Sequence, residues 1–456
     1  MKLTKLSLVA ALLIGSSAFA IENTKVSGDV NLFYGTMDQS YKGSKLDGHG
    51  NDVETADMFN KDASYANASL QLDLTTDLSE GVSAGVGLTA VSTLGLENNL
   101  VSQTWSNSHG VSGSTGAAYP DGIENHQVDD AAWVDEAWIA GTALDTTVKV
   151  GRQALDTPLA FTETWGVDSN TFEAAVLINQ SIPDTTLVGA WVGKSNGSAD
   201  EEATGVTVNA LNSAQAGYVA QDGKFSTFAK DGAYAAGIIN NSWKPLTAQA
   251  WYYDLQGMAK AYWLQADLNI EGVLAGAQYV SVDADTLISG VKEDKAYAVM
   301  LGYEMKDTFT IKAAYSSVDD EGTVGVANTA TGASGATARN GSGAQSKLYT
   351  EMWWNYGAVS QIGADSYSIT AEATVGPEIN LFAGYYYADI DVSKNSTVNA
   401  NGKDEATEYV FNVSKSFGPL DTSLALIYDE FDRDGGLSRG ELEDVTHLQV
   451  YLTYNF

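Results

Sequence analysis

Apolar and polar residues alternate one by one through most of this chain. In INLFAGYYY one face carries Ile379, Leu381, Ala383, Tyr385 and Tyr387, and in AYAVMLGYE it carries Tyr297, Val299, Leu301 and Tyr303. VSGDVNLFY does the same with Val26, Val30, Leu32 and Tyr34, and LQVYLTYNF with Leu448, Val450, Leu452, Tyr454 and Phe456. Successive side chains leave a β-strand on opposite sides, so a period of two predicts strands with one face against an apolar medium. The opposite faces hold Asp29, Asn31, Asn67, Gln71, Asp73, Gln265, Asp267, Glu304, Lys312 and Glu372.

The spacers between these segments alternate short and long. TTDLSEG, GTALDTT, NQSIPDT, NNSWKP, NIEG, MKDT, GPEI and FGPLDT are short; those after Gly151, Lys194, Ser281, Val318, Ile390 and Tyr428 are long or polar, with a tight exception near Gln256. The count is about 18 strands, an even number that returns both ends to one side. The expected fold is all-β: a transmembrane antiparallel β-barrel with short periplasmic turns, long extracellular loops and the third loop folded into the lumen. The same alternation, with its faces reversed, also suits a soluble sandwich. A cylinder of about 18 strands, however, keeps a polar, water-filled interior that needs no packing partner.

Hydropathy adds a targeting segment. MKLTKLSLVAALLIGSSAFA has a basic start at Lys2 and Lys5, an apolar run from Leu6 to Ile14, and the small-x-small site Ala18-Phe19-Ala20. This predicts a cleaved signal peptide over residues 1–20 and one barrel domain over 21–456. No later stretch approaches the ~18 apolar residues of a membrane helix, so only a closed barrel can cross a bilayer. With 0 Cys no disulfide framework exists, and 45 Gly, 6 Pro, 23 Tyr and 10 Trp suit many strands with interfacial aromatics. The 58 acidic against 24 basic residues give −34, which excludes nucleic acid as a partner and favours cations.

GRQALDTPLAFTETWGVDSNT joins two strands by a segment of apolar and acidic residues. Gly151 supplies backbone freedom, Pro158 direction, and Leu159, Phe161 and Trp165 apolar anchors for a loop turned inward. Asp156, Glu163 and Asp168 then face water, and Arg152 pairs with one of them across the narrowest part of a pore. Glu173 and Lys149 on the flanking strands join this constriction. Asp29, Asp73, Asp267, Glu304 and Glu372 are the expected acids of the lumen, against Lys149 and Lys312. An ordinary outer loop with a structural arginine is the competing reading.

The N-terminal segment, GRQALDTPLAF, NTFEAAVLINQSIPDTTLVGAWVG, the later WWNYG and the aromatic end resemble the Campylobacter-type major outer-membrane porins, within the porin D-like group of channels. The resemblance covers the whole chain and is sharpest between Gly151 and Gly193. It implies an 18-stranded barrel in a Gram-negative outer membrane, usually a homotrimer, passing small hydrophilic solutes and cations through a pore narrowed by the third loop. Outer-membrane lipid, lipopolysaccharide and, through the C-terminal strand, the barrel-insertion machinery are the implied partners. The ladder of arginines that many porin D-like channels carry on one wall has no counterpart here.

Enzyme chemistry finds little purchase. The only histidines are His49, His109, His126 and His447; three lie in spacers, and His447 reads as an interface residue. Neither a phosphate loop nor zinc-ligand spacing occurs. An adhesin or structural barrel without conductance is the alternative function. No cofactor is required, but DEFDRDGGLSRGELED imitates a calcium loop: Glu430, Asp432, Asp434 and Glu441 offer hard oxygens and Gly435 a sharp turn. Its flanks alternate like strands, so a solvated acidic hairpin tip competes with a calcium site.

Overall fold

The computed structural model describes residues 22–41, 57–60, 63–92, 94–95, 101, 131–164, 166–197, 223–229, 231–284, 292–322, 324–330, 344–376, 378–391, 403–433 and 442–456. Their strands are β1 (Glu22–Tyr41), β2 (Ser64–Ser79), β3 (Val82–Ser92), β4 (Ala131–Ala143), β5 (Thr146–Gln153), β6 (Phe172–Asn179), β7 (Thr185–Ser195), β8 (Ser226–Thr227), β9 (Ala233–Asn240) and β10 (Leu246–Leu255). They continue with β11 (Ala259–Ile270), β12 (Val273–Asp283), β13 (Asp294–Met305), β14 (Phe309–Val318), β15 (Ala364–Val375), β16 (Ile379–Asp391), β17 (Lys403–Phe417), β18 (Leu420–Arg433) and β19 (Leu442–Asn455). The two-residue β8 only extends the ladder of β7, which pairs directly with β9. The other 18 strands each pair antiparallel with the next, and β19 returns to β1 with Asn455 opposite Asp29, closing the cylinder.

Closure is achieved by very short connections at one end. Leu144 (φ 49) and Asp145 (φ 57) are both left-handed, the backbone of a two-residue hairpin whose twist matches that of its strands. The predicted short turns all fall at this end and the long spacers at the other, with the tight exception at Gln256–Met258 between β10 and β11.

Solvent exposure settles which face points out. Tyr297 is 50%, Val299 48% and Leu301 67% exposed, on the outer face of a wall whose inner face carries Glu304. Exposing such a side chain to water forgoes about 1.5–3 kcal/mol of burial, whereas hydrocarbon accepts it freely. Tyrosines form a belt on this surface towards the long-loop end: Tyr297 to Tyr315 is 5.9 Å, Tyr315 to Tyr367 5.0 Å, and Tyr409 to Tyr428 6.1 Å between ring centroids. Tyr303 and Phe309, 6.0 Å apart, lie at the short-turn end of the same outer surface. Paired aromatic belts of this kind mark the edges of a membrane-spanning band.

Two segments from the long-loop end fold into the cylinder: 154–171 after β5, as expected, and parts of 319–363 after β14, which the alternation pattern did not indicate. The largest apolar cluster lies between them and the inner wall, with Leu155 and Leu159 from the first, Met352 and Val359 from the second, and Phe172, Trp251, Trp263 and Ile427 from the strands.

Candidate functional site

The first inward segment begins as a small hairpin. Thr162 N donates to Leu155 O at 2.8 Å and Thr157 N to Ala160 O at 3.2 Å, which places Leu159 at its tip. There Leu159 N meets the hydroxyl of Tyr253 on β10 at 3.4 Å. Further on, Val167 packs on Phe33 of β1, and its carbonyl accepts Ser69 Oγ of β2 at 2.5 Å. β2 and β10 belong to separate parts of the wall, so the segment crosses the lumen.

The second segment is fixed to the facing wall. Gln278 on β12 donates to Lys347 O at 2.8 Å and accepts from Tyr349 N at 3.2 Å, while the Tyr349 hydroxyl reaches Asp267 on β11. Gly276 makes room for that ring: a Cβ there would fall 2.5 Å from the Tyr349 hydroxyl. On β17, the buried Glu408 accepts the backbone N–H groups of Trp353 (2.8 Å), Trp354 (3.0 Å) and Asn355 (2.8 Å). Beside it His447 donates to Asp429 at 2.8 Å and lies 4.0 Å from the Trp354 ring. The histidine read as an interface residue therefore lies buried inside the barrel, against the inward segment.

These segments hold each other. Asn328 exchanges hydrogen bonds with the peptide of Phe161 (3.2 and 2.9 Å) and donates to Glu163 at 2.9 Å; Gln345 N donates to Glu163 at 3.1 Å, and Thr329 N to Leu159 O at 2.8 Å. Lys347 forms an ion pair with Asp156 and lies 4.7 Å from the Phe161 ring. Glu351 is enclosed by Ser346 N (2.8 Å) and Gly357 N (2.7 Å). Burial pushes its carboxyl up to about 7, against the hydrogen bonds from Ser346 and Gly357, with the charge of Glu163 adding to the rise.

The expected constriction residues separate into three groups. Asp156 is exposed on the inward segment, but Glu163 and Asp168 are buried (2% exposed each); Asn328 and Gln345 of the second segment cover Glu163 where it was expected to meet water. Arg152 pairs with none of these acids. Its Nε donates to Glu173 at 3.1 Å and its Nη1 to Val134 O at 2.8 Å. Arg152 and Glu173 sit opposite each other in register, on the face shared with exposed Val148 and Val150, so both point outward. The outward turn follows from parity: Gln153 and Ala174, their neighbours in the ladder, face the core. Trp165 lies outside the described residues.

Lys149 does face the lumen, over the Trp138 ring at 4.3 Å and 4.0 Å from Glu136. Asp29, Asp73, Asp267, Glu304 and Glu372 lie on inward-facing strand positions. Asp135 and Glu136, both inward, were missed by sequence reasoning because a register shift between Gly87 and Thr89 against β4 breaks the alternation there. Gly87 lets the acids converge, since a Cβ at that position would fall 2.8 Å from both Asp73 Oδ1 and Asp135 Oδ1. Asp29, Asp73, Asp135 and Glu136 thus share one stretch of wall with the cation Lys149.

Of the calcium-loop candidates, Glu430 and Asp432 belong to β18, paired with Thr407 and Glu405 on the outward face. Asp434 and Glu441 lie outside the described residues. No three carboxylates or imidazoles among the described residues converge as metal ligands do.

No protein-family profile matches the chain, and no curated protein matches it by sequence. Solved structures do share its architecture, that of the closed 18-stranded barrels. OccK8 (OprE) of Pseudomonas aeruginosa is 16% identical, covering 96% of this chain and 100% of that one with a TM-score of 0.63. OpdQ of the same organism is 14% identical over 96% and 98% with a TM-score of 0.64, and OccAB4 of Acinetobacter baumannii 12% over 95% and 99% with 0.65. At these identities the likeness is one of fold.

Proposed function

We propose that the protein is an outer-membrane porin, a water-filled channel through which ions and small hydrophilic solutes diffuse, with a preference for cations. The observation that carries this reading is the acid-rich inner wall of Asp29, Asp73, Asp135 and Glu136 facing a lumen narrowed by two mutually bonded segments. Carboxylates in a narrow passage raise the local concentration of cations. Fold likeness to outer-membrane channels of Gram-negative bacteria supports the location. The motifs around Gly151 to Gly193 favour a Campylobacter-type porin, with a homotrimer as the working assembly. No residue is assigned a catalytic role.

The test is reversal potential across a planar bilayer separating two salt concentrations. Cation preference should be clear at about 0.1 M salt, where charges act over ~10 Å, and fade at about 1 M, where they act over ~3 Å. Anion preference at low salt overturns the selectivity; a folded barrel that passes no current favours the adhesin or structural reading.

A further inference from the structure

Arg152, Glu173 and Lys194 lie side by side on β5, β6 and β7, on the outside of the wall. At this height Phe172, Ala174, Val192 and Phe228 close the inner face as part of the core. The 580 Å³ cavity that the three charged residues line with Val150, Trp191 and Thr227 therefore opens outward, beside exposed Val150 (46%) and Trp191 (42%). A bulge creates it. The register shifts so that Glu173 faces Lys194 while Ala174 faces Val192, which turns Lys194 outward and leaves Gly193 without a register partner on β6. A Cβ on Gly193 would fall 2.6 Å from the Trp191 ring.

The recess has a defined height. Arg152 stands as far along its strand from Thr146 as Trp191 does from Thr185 and Tyr315 from Phe309. Tyr315 belongs to the aromatic belt, so the recess lies where lipid headgroups meet hydrocarbon. On a chain of net charge −34, two cations flank one carboxylate here: Arg152 Nε is 3.1 Å and Lys194 Nζ 3.7 Å from Glu173. Arg152 also lies over the Phe225 ring, 4.1 Å from its centroid, which helps to hold its guanidinium in place.

We propose that Arg152 and Lys194 bind the phosphate of a membrane-lipid headgroup, with Glu173 holding the two cations apart. A guanidinium presents a planar fork to phosphate oxygens and an ammonium adds a point charge. The lipid's chains lie along Val148, Val150, Ile139 and Leu177, all exposed on the same outer surface. A free anion lacks that apolar contact and meets the repulsion of an acidic protein. The site rests on the membrane placement given under the proposed function, and not on whether the barrel conducts.

The test places the full chain in nanodiscs of phosphatidylcholine containing phosphatidic acid and counts retained phosphatidic acid by native mass spectrometry. Loss of both cations (Arg152→Gln with Lys194→Gln) should lower retention about thirtyfold, two basic contacts at a membrane surface contributing on that scale. Glu173→Gln should raise retention, and Lys244→Gln, which breaks an exposed ion pair with Asp184 at the short-turn end, should leave it unchanged. Should the double variant fail to fold, Lys194→Gln alone, which keeps the Arg152–Glu173 pair, should lower retention about fivefold. Equal retention in the cation variants overturns the proposal. So does displacement by excess inorganic phosphate, which would mark a free-anion site, or a fall in oligomer mass with lipid still bound, which would mark a face between copies. Conductance measured on the same preparations reports separately on the channel reading.

Discussion

Asn328 Nδ2 lies 2.9 Å from Glu163 Oε1, joining two lumenal segments 165 residues apart in sequence. Asn328 also satisfies both the N–H and the carbonyl of Phe161. Asn328→Ala strands the buried Phe161 N–H, at a cost of about 1–3 kcal/mol, and leaves the Phe161 carbonyl to Asn170 and Glu163 to Gln345. Faster amide exchange at 159–163 and 344–350, with noisier single-channel current, is the expected outcome. Unchanged exchange would mean that the segments dock independently.

Glu408 collects three successive backbone N–H groups, and hydrogen bonds to a charged acceptor contribute about 1.5–3 kcal/mol each. Glu408→Ala should free residues 353–355 from β17 and raise single-channel conductance, while Glu408→Gln, which keeps one carbonyl acceptor, should fall between it and the native protein. A conductance that Glu408→Ala leaves unchanged would place 353–355 outside the permeation path.

Glu351 makes the second segment sensitive to pH. Its carboxyl titrates near 7 when docked and at the ordinary 4.5 when released. The docked state thus holds the proton more tightly, and its added stability is complete below 4.5 and lost as pH rises through about 7. Amide protection at 344–363 should therefore decline between pH 5 and pH 8, both values chosen to bracket about 7. Glu351→Gln should abolish that decline; a decline that persists in the variant must come from another group.

Selectivity should follow exposure. Asp73→Asn with Glu136→Gln should weaken cation preference more than Glu163→Gln, whose carboxylate is enclosed by Asn328 and Gln345. Equal shifts in reversal potential would mean that the β2–β4 wall is not where ions are counted.

The wall was legible in the sequence because it is repetitive: Tyr297, Val299, Leu301 and Tyr303 report their face by spacing alone, and short turns punctuate every hairpin. The interior was legible only in part. Leu159 and Pro158 signalled an inward turn, but Glu163 looked like a pore-facing acid because nothing local reveals a cover supplied by Asn328 and Gln345. The same distance hid Glu408, which sits in an ordinary alternating strand and gains its role from the backbone of Trp353 to Asn355. Arg152 was misplaced for a different reason. Its neighbours suggested a loop, whereas the ladder continues through it and parity turns it outward. The apolar run Met352-Trp353-Trp354 in a long spacer was the available clue to the second segment.

Register itself can be tested at the membrane. Leu301→Arg puts a charge on the outer face and should destabilise the barrel by about 2–4 kcal/mol near the bilayer midplane, while Thr370→Arg, facing the lumen, should be mild. Ser368, also lumenal, is a poor control because it is buried and donates to Tyr349 O at 3.4 Å. Urea unfolding from lipid vesicles measures both; similar losses would mean that the assigned faces are wrong.

The two kinds of contact in this barrel also differ in how quickly a chain can find them. Each strand meets its sequence neighbour across a turn or loop, and short loops close in well under a microsecond to microseconds. The bonds between the two lumenal segments instead join residues 165 to 191 positions apart, as in Asn328 with Glu163 and Lys347 with Asp156. Contacts of that separation pay their loop-closure entropy late, once the surrounding scaffold has already brought the ends together. Assembly consequently runs from the outside in, and a newly inserted cylinder is wider than a mature one until both segments have settled across it.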